Sequence, residues 1–435
     1  MLGVAFSAAA TEAQETGVSI ENVRIFDGTS ASLSAPSNVL VVGNLIRSIS
    51  AAPIAAPPGT TVTRIQGGGR TLMPGLIDNH VHIALSTTGQ IDLLSDATTA
   101  DVLQARATAE ARDMLMRGFT AVRDMGGPML TALPKMDKGE LPGPRIYASG
   151  AMISQTSGHG DSRLPRERSR RFFGDISKGE LLGANFIADG RDEVLTATRE
   201  NLRAGASQIK VMAGGGAASA YDPLDVTQYT LDEMKAAVEA ADDWNTYVTV
   251  HAYTAKAVRR AVDAGVKCIE HGQLLDEETM KLLAENGTWL SLQALDPAPP
   301  TAPESTRRKK AQVIDGTDSA FKWAQKYGVK LAWGTDFLFD PRQNAKQTAD
   351  ILKLRKWMTP AEVLKLVTHD NAQLLALSGP RNPYPEKLGV VEEGAYADLL
   401  LVDGDPLANL DLIGDPAKNF SVIMKDGKVY KNTLR

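Results

Sequence analysis

The chain has 435 residues, of which 43% are hydrophobic and 23% charged, a composition that excludes disorder as its main state. Its 47 basic and 52 acidic side chains give a net charge of -5, so we expect no nucleic-acid partner and no anionic membrane surface as a partner. The single cysteine, Cys268, excludes an internal disulfide framework and any zinc module built from several cysteines.

The start of the chain is apolar and rich in small side chains. An Ala-x-Ala pattern near Ala8 resembles the end of a secretory signal peptide, although the basic segment that precedes such a signal is missing. We therefore expect residues 1–16 to be a signal remnant or a flexible arm. The same pattern predicts a periplasmic or secreted protein, with a cytoplasmic location as the alternative.

Two segments at opposite ends of the chain have the pattern of short strands. Residues 17–73 alternate apolar and polar side chains between Gly, Asn, Ser and Pro, and residues 381–435 contain short apolar runs around Asp-Gly turns. Chain ends usually lie at the surface and close together. We predict that the two segments form one composite β-sandwich domain.

The middle of the chain, residues 74–380, alternates apolar strand-like runs with amphipathic stretches. Strands that alternate with helices predict a parallel sheet and an α/β fold. The number of runs predicts a (β/α)8 TIM barrel. The eight runs read GLIDNHVHI, FTAVRDMG, RIYASG, QIKVMAGGG, YVTVHAYT, KCIEHG, TWLSLQ and LAWGTD. The basic run RRKK at 307–310 is interpreted as part of an exposed loop without a function.

Residues able to bind a metal fall where these predicted strands end, which is the catalytic edge of a barrel. His80 and His82 lie two residues apart, so their side chains share one face of a strand. Three more candidates, His251, His271 and Asp336, end later strands, and Lys210 lies within the fourth. Each alone has a structural explanation. Together they would be costly to bury without a metal or other partners, so we predict a histidine and carboxylate metal site.

The motifs PGLIDNHVH, IKVMAGGG, VHAYT, IEHGQ and GTD, in this order over nearly the whole chain, resemble the amidohydrolase superfamily. The resemblance implies a binuclear centre of two divalent ions, most often Zn²⁺. It assigns His80, His82 and Asp336 to the more buried ion and His251 and His271 to the more exposed one. It also implies that Lys210, carboxylated by carbon dioxide, bridges the two ions.

The same resemblance gives Asp336 the role of proton shuttle, and Lys210 and His271 a place in the catalytic machinery. The chain is most similar to a subgroup of imidazolonepropionase-like proteins. This subgroup holds Xaa-Pro dipeptidases, carboxypeptidases and ochratoxin A-hydrolysing amidohydrolases, the last of which it resembles most. The expected substrate is therefore a small amide or dipeptide, with hydrolysis of ochratoxin A to L-phenylalanine and ochratoxin alpha as the specific expectation.

Three further residues are candidates for binding the substrate. His159, in a glycine-flanked loop, is a candidate donor to the substrate carbonyl or carboxylate, and Arg163 is a candidate partner for a free carboxylate. Tyr221 is a candidate donor to the carbonyl. Each of the three has an alternative explanation as a loop or surface residue.

Several alternatives stay open at this point. An Xaa-Pro or Xaa-Arg dipeptidase and a hydrolase of cyclic amides or lactones share the predicted metal site. Mononuclear deaminases of this fold usually lack the lysine, and Lys210 disfavours them. A non-enzymatic scaffold is disfavoured because all six expected metal-site residues are present. We also expect a symmetric homo-oligomer, since such assemblies are common.

Overall fold

A computed structural model describes residues 16–219 and 221–434 of the chain. The predicted N-terminal arm therefore lies outside the described residues except for Thr16, which begins the first strand. Within the described ranges no helix has the length and apolar character needed to cross a membrane.

The strands of the described residues fall into three sheets. Their bounds are β1 Thr16–Ile25, β2 Ser37–Val42, β3 Leu45–Ser50, β4 Thr61–Gln66, β5 Thr71–Pro74, β6 Leu76–Val81, β7 Phe119–Asp124, β8 Arg145–Ala148, β9 Met152–Ser154, β10 Asn185–Ile187, β11 Ile209–Met212, β12 Val248–Thr254, β13 Cys268–Leu274, β14 Trp289–Leu292, β15 Leu331–Trp333, β16 Leu399–Val402, β17 Phe420–Lys425 and β18 Lys428–Asn432.

Helices follow most of the central strands. Their bounds are α1 Gln90–Leu93, α2 Ala100–Met116, α3 Leu133–Asp137, α4 Arg170–Phe173, α5 Lys178–Leu181, α6 Arg191–Arg203, α7 Leu231–Asp242, α8 Ala255–Ala264, α9 Glu277–Glu285, α10 Glu304–Tyr327, α11 Gln347–Ile351, α12 Pro360–Lys365, α13 Asn371–Leu375, α14 Asp411–Gly414 and α15 Pro416–Asn419, with shorter helical turns at Leu85–Thr87, Pro341–Lys346, Leu352–Lys356, Leu366–Asp370 and Ala376–Arg381.

The first sheet is built from both ends of the chain. Its strands run in the order β18-β17-β16-β5-β1-β2-β3, and β4 pairs with β1. The two ends meet where β16 lies antiparallel to β5, with Leu400 opposite Met73. One face of this sheet buries a core of its own that includes Ile20, Val39 and Leu401. The terminal segments therefore form one composite sheet, as their β patterns indicate.

The central strands are parallel, and the prediction of an α/β class is confirmed. One sheet has the order β6-β7-β8, and the other has the order β10-β9-β11-β12-β13-β14-β15. All eight predicted runs contain a strand. Their side chains are nearly all buried, which is why apolar residues dominate most of the runs.

Hydrogen bonds also link the edges of the two parallel sheets. The Asn371 side chain donates to the carbonyl oxygens of Ile77 and Trp333, at 2.7 and 2.9 Å, and so ties β6 to β15. At the other edge, the Ser207 amide donates to the Ala148 carbonyl at 2.9 Å. The carboxyl ends of β6 and β15 are therefore held side by side.

One prediction about the loops is wrong. The basic run 307–310 does not lie in a loop; it forms part of helix α10, which begins at Glu304 directly after the proline-rich stretch. Pro303 ends the loop because a proline is tolerated at the start of a helix but not in its interior. Lys309 and Lys310 are half-buried rather than fully solvated.

Candidate metal centre

The three residues assigned to the more buried ion meet in the structure. The Nε2 atoms of His80 and His82 lie 3.3 and 3.4 Å from one carboxylate oxygen of Asp336. His80 lies in strand β6 and His82 follows its last residue, Val81, directly; Asp336 lies three residues after β15 ends. This group can hold a metal ion through one atom from each residue.

The two residues assigned to the second ion lie beside this group. The rings of His80 and His271 are 5.1 Å apart between centroids, and those of His271 and His251 are 4.4 Å apart. Lys210 lies on β11, whose neighbour β12 carries His251. The six predicted ligands thus lie on, or shortly after, five of the parallel strands: β6, β11, β12, β13 and β15.

Each of the four histidines has one ring nitrogen engaged by an acceptor that cannot donate. The Nδ1 atoms of His80, His82 and His271 contact Glu270 Oε2 at 2.8 Å, the Gly126 carbonyl at 3.2 Å and Gln293 Oε1 at 2.7 Å, respectively. In His251 the engaged atom is Nε2, which lies 3.0 Å from the Gly215 carbonyl. These ring nitrogens are placed to donate a proton, because their partners are oxygen acceptors, and we assign the tautomer in which they carry it.

The other nitrogen of each ring therefore keeps its lone pair. Burial also lowers the pKa of His80 to about 4 and that of His271 to about 3, so both rings are neutral at physiological pH. A neutral imidazole whose second nitrogen is anchored is the usual state of a metal ligand. The donor set fits divalent metals of the zinc type.

Lys210 has the properties that a carboxylated lysine requires. Its side chain is almost completely buried, and its amine forms no hydrogen bond or ion pair with the residues that the structure describes. Burial lowers the pKa of Lys210 to about 8. A substantial neutral fraction is therefore present near neutral pH, and only the neutral amine can react with carbon dioxide.

Asp336 is strongly held in its ionised form. Burial raises its pKa, but the surrounding rings of His80, His82 and His271 outweigh that effect and keep the pKa of this carboxyl well below its usual range. Asp336 and His271 both have left-handed backbone conformations, with φ of 54° and 81°. Such conformations are uncommon for residues other than glycine and occur often at active sites.

Sequence reasoning missed a charged network beneath the ligands. Glu270 is fully buried on β13 and accepts hydrogen bonds from His80 on one oxygen and from Arg123 Nη2, at 2.7 Å, on the other. Thr249 also donates to this second oxygen. Arg123 and His80 outweigh the effect of burial and hold the pKa of Glu270 well below its usual value. The only sequence signal was the position of Glu270 directly before His271.

His159 lies at the site, in contact with a predicted ligand. Its ring stacks on that of His251 with centroids 4.0 Å apart. Its Nδ1 lies 3.2 Å from Asp222 Oδ2 and 3.0 Å from Ser219 Oγ. A side chain at Gly216 would place its Cβ 1.8 Å from the His159 ring, so the third glycine of IKVMAGGG leaves the room that this histidine needs.

The other two predicted substrate-binding residues lie in different surroundings. Arg163 donates two hydrogen bonds to the Asp161 carboxylate, from Nε at 2.8 Å and Nη2 at 2.5 Å. The side chain of Tyr221 is 62% exposed. The structure thus brings His159 to the predicted ligands, whereas the Arg163 fork is already paired and Tyr221 points largely to solvent.

Comparison with known proteins agrees with this geometry. The amidohydrolase family matches residues 71–431. The ochratoxinase of Aspergillus niger is 32% identical over 376 residues, covering 83% of this chain and 75% of its own. The imidazolonepropionase of Idiomarina loihiensis is 24% identical and covers 88% of this chain and 90% of its own.

Solved structures show the same relationship. A prolidase complexed with N-methylphosphonate-L-proline has a TM-score of 0.86 at 31% identity and covers 96% of this chain and 100% of its own. The A. niger ochratoxinase structure has a TM-score of 0.81 at 26% identity, with 97% and 96% covered. The chain therefore belongs to the amidohydrolase family, and it is a hydrolase of amide or peptide bonds.

Proposed function

We propose that the protein is a binuclear metal-dependent amidohydrolase that releases a C-terminal amino acid from an amide or dipeptide. The observation that supports this most directly is the group formed by His80, His82 and Asp336, with the rings of His271 and His251 beside it and one nitrogen of each ring anchored. In the same proposal the two parallel sheets close into a (β/α)8 barrel, and the sheet formed by the chain ends belongs to a β-sandwich domain.

The residues divide between two ions as the resemblance implies. His80, His82 and Asp336 would hold the first, His251 and His271 the second, and carboxylated Lys210 would bridge them. Zn²⁺ is the metal that we propose. When bound, the ions would supply a water activated near neutral pH and would polarise the scissile carbonyl.

Asp336 is suited to move the proton during hydrolysis. Asp336 is ionised, and its position beside the predicted ligands lets its carboxylate accept a proton from the attacking water as the C–O bond forms. The same carboxyl can then give that proton to the leaving nitrogen as the C–N bond breaks. Its oxygens lie near the rings of both His80 and His271, at 3.3 and 4.0 Å, and so between the two ligand groups.

His159 is proposed to contact the substrate directly. Asp222 and Ser219 hold its Nδ1, which fixes the ring plane beside His251. The Nε2 edge of the ring is proposed to donate to a substrate oxygen. We retain Tyr221 as the proposed donor to the carbonyl and Arg163 as a proposed partner for the carboxylate, although the latter would have to share its guanidinium with Asp161.

For the substrate we propose ochratoxin A, an aryl amide of L-phenylalanine. The support is the similarity to the A. niger ochratoxinase over most of both chains. The second candidate is a dipeptide with C-terminal proline, and it is supported by the fit to the prolidase structure. Both candidates present a free carboxylate next to the scissile amide.

Product analysis by mass spectrometry tests the proposal. The zinc-loaded enzyme would be incubated with ochratoxin A, N-benzoyl-L-phenylalanine, dipeptides ending in Phe, Pro, Arg and Lys, a lactone and a hydantoin, with Asp336→Asn as the blank. We expect phenylalanine to be released from ochratoxin A faster than from the dipeptides. Preferential cleavage of the proline dipeptide would select the second candidate. Turnover of the lactone or hydantoin alone would refute the release of a C-terminal amino acid.

A further inference from the structure

Helix α10 directs one of its faces towards the metal centre. The buried positions of this helix, Val313 and Thr317 among them, follow a spacing of three and four residues. Val313 packs in a cluster with Tyr253, whose ring stacks on that of His271 at 5.0 Å between centroids. Lys310 lies three residues before Val313 and so belongs to the same face of the helix.

The neighbouring lysines are engaged with the protein. Lys309 Nζ donates to the carbonyl oxygens of Ser219 and Asp222, at 2.7 and 3.1 Å, and so attaches α10 to the loop that positions His159. Lys353 Nζ forms an ion pair with Asp296 at 2.9 Å and another with Asp350. Both ammonium groups therefore have protein partners.

Lys310 differs from these neighbours. It is half-buried, yet its amine forms no hydrogen bond or ion pair with the residues that the structure describes. Burial lowers the pKa of Lys310, and Asp296 and Asp336 are among the charges close enough to act on it. Asp296 follows β14 by four residues and Asp336 follows β15 by three, so both of these charges come after the carboxyl ends of parallel strands.

We propose that Lys310 binds the free carboxylate of the substrate's C-terminal amino acid. A desolvated ammonium without a partner gains a charge-assisted hydrogen bond when an anion reaches it. Arg163, the candidate found from the sequence, already uses two of its nitrogens on Asp161. This inference rests on the proposed function, and it assigns the main contact with the carboxylate to Lys310 on α10, with Arg163 in the loop that follows β9 as a secondary partner.

The test compares an acid with its amide. Hydrolysis of N-benzoyl-L-phenylalanine and of N-benzoyl-L-phenylalaninamide would be measured for the wild type and for Lys310→Gln, Lys310→Arg and Arg163→Gln. Lys322→Gln is the matched control, because Lys322 lies on the same helix but is 67% exposed and pairs with Asp318. Inhibition by free L-phenylalanine gives a binding readout, and thermal melting checks that each variant folds.

We expect Lys310→Gln to lose about 10- to 100-fold in kcat/KM for the acid, mainly through KM, and to change little for the amide. Inhibition by L-phenylalanine should weaken to a similar extent, and Lys310→Arg should recover part of the loss. If Lys310→Gln discriminates between acid and amide as the wild type does, or if only Arg163→Gln loses the discrimination, the inference is wrong. A wild-type enzyme that cleaves neither compound nor any other substrate of the panel would instead refute the proposed function, and the inference with it.

Discussion

Replacement of Glu270 by glutamine should test whether this buried carboxylate orients His80 for binding a metal. The carboxylate accepts a hydrogen bond from His80 Nδ1 on one oxygen and hydrogen bonds from Arg123 and Thr249 on the other. A glutamine amide keeps one oxygen, which the Arg123 guanidinium will take. Its NH2 group then faces the Nδ1–H of His80, and two donors oppose each other.

His80 can relieve this conflict only by moving its proton to Nε2. That nitrogen faces Asp336 at 3.3 Å and is the one that would bind the metal. Loss of an anchoring partner of a metal-bound histidine typically costs 10- to 100-fold in metal affinity, which corresponds to about 1.4–2.7 kcal/mol. We therefore expect Glu270→Gln to bind zinc about 10- to 100-fold more weakly than the wild type.

The same variant should also lower the stability of the metal-free protein. Arg123 and Glu270 are both fully inaccessible to solvent, so the substitution leaves an uncompensated buried guanidinium. Removing one partner of such a pair costs about 3–5 kcal/mol, and we expect the lower end because the amide oxygen still accepts one hydrogen bond. Thr249→Val, which removes one donor but keeps the carboxylate, should have a much smaller effect.

Zinc affinity would be measured by competition with a chromophoric chelator, and stability by denaturant unfolding of the metal-free protein. Histidine ¹⁵N spectra of that form report which ring nitrogen of His80 carries the proton. Glu285→Gln, on the exposed side of α9, is the control. Wild-type zinc affinity in Glu270→Gln, together with an unchanged His80 tautomer, would show that Glu270 does not orient this ligand.

Four further predictions concern the centre and its surroundings. Asp336→Asn should keep the fold and much of the metal while losing turnover, and wild-type activity at verified metal content would exclude the proton shuttle. Lys210→Gln should bind at most one ion, so a fully loaded variant measured by elemental analysis would contradict the bridging role. Gly216→Ala should displace the His159 ring, lower kcat/KM and lower the free energy of unfolding by about 1–3 kcal/mol. Unchanged kinetics would show that activity does not depend on the position of His159. Burial raises the pKa of Asp124 to about 6, so the contribution of this carboxyl to stability is fully present below the unfolded-state pKa near 4 and is lost as the pH rises through 6. Asp124→Asn should therefore destabilise the metal-free protein more at pH 5 than at pH 8. An equal destabilisation at both pH values would contradict the raised pKa.

The central strands could be predicted because burial on both faces leaves an unmistakable pattern. Runs such as IKVMAGGG and TWLSLQ contain several apolar residues and at most one charged residue, and they contain β11 and β14. Two strands of three residues, β9 and β10, lie outside the predicted runs. The start of helix α10 was not predicted, because its many charged residues obscure the helical spacing of the buried ones.

The ligands of the candidate centre could be predicted because their residue types are rare and their positions follow strand ends. The residues that support them could not. Gln293 and Glu270 belong to apolar runs, and Asp222 lies 63 residues from the histidine that it contacts. Their roles depend on distances between strands that are far apart in the sequence, and no local pattern records such distances.

A crystal structure of the zinc-loaded protein, with anomalous scattering recorded at the zinc edge, tests the central claim most directly. Two anomalous peaks are predicted, one among His80, His82 and Asp336 and the other beside His251 and His271, with added density on Lys210 Nζ that joins them. A single peak at the first position, with Lys210 present as a free amine, would contradict the binuclear centre and the mechanism that depends on it.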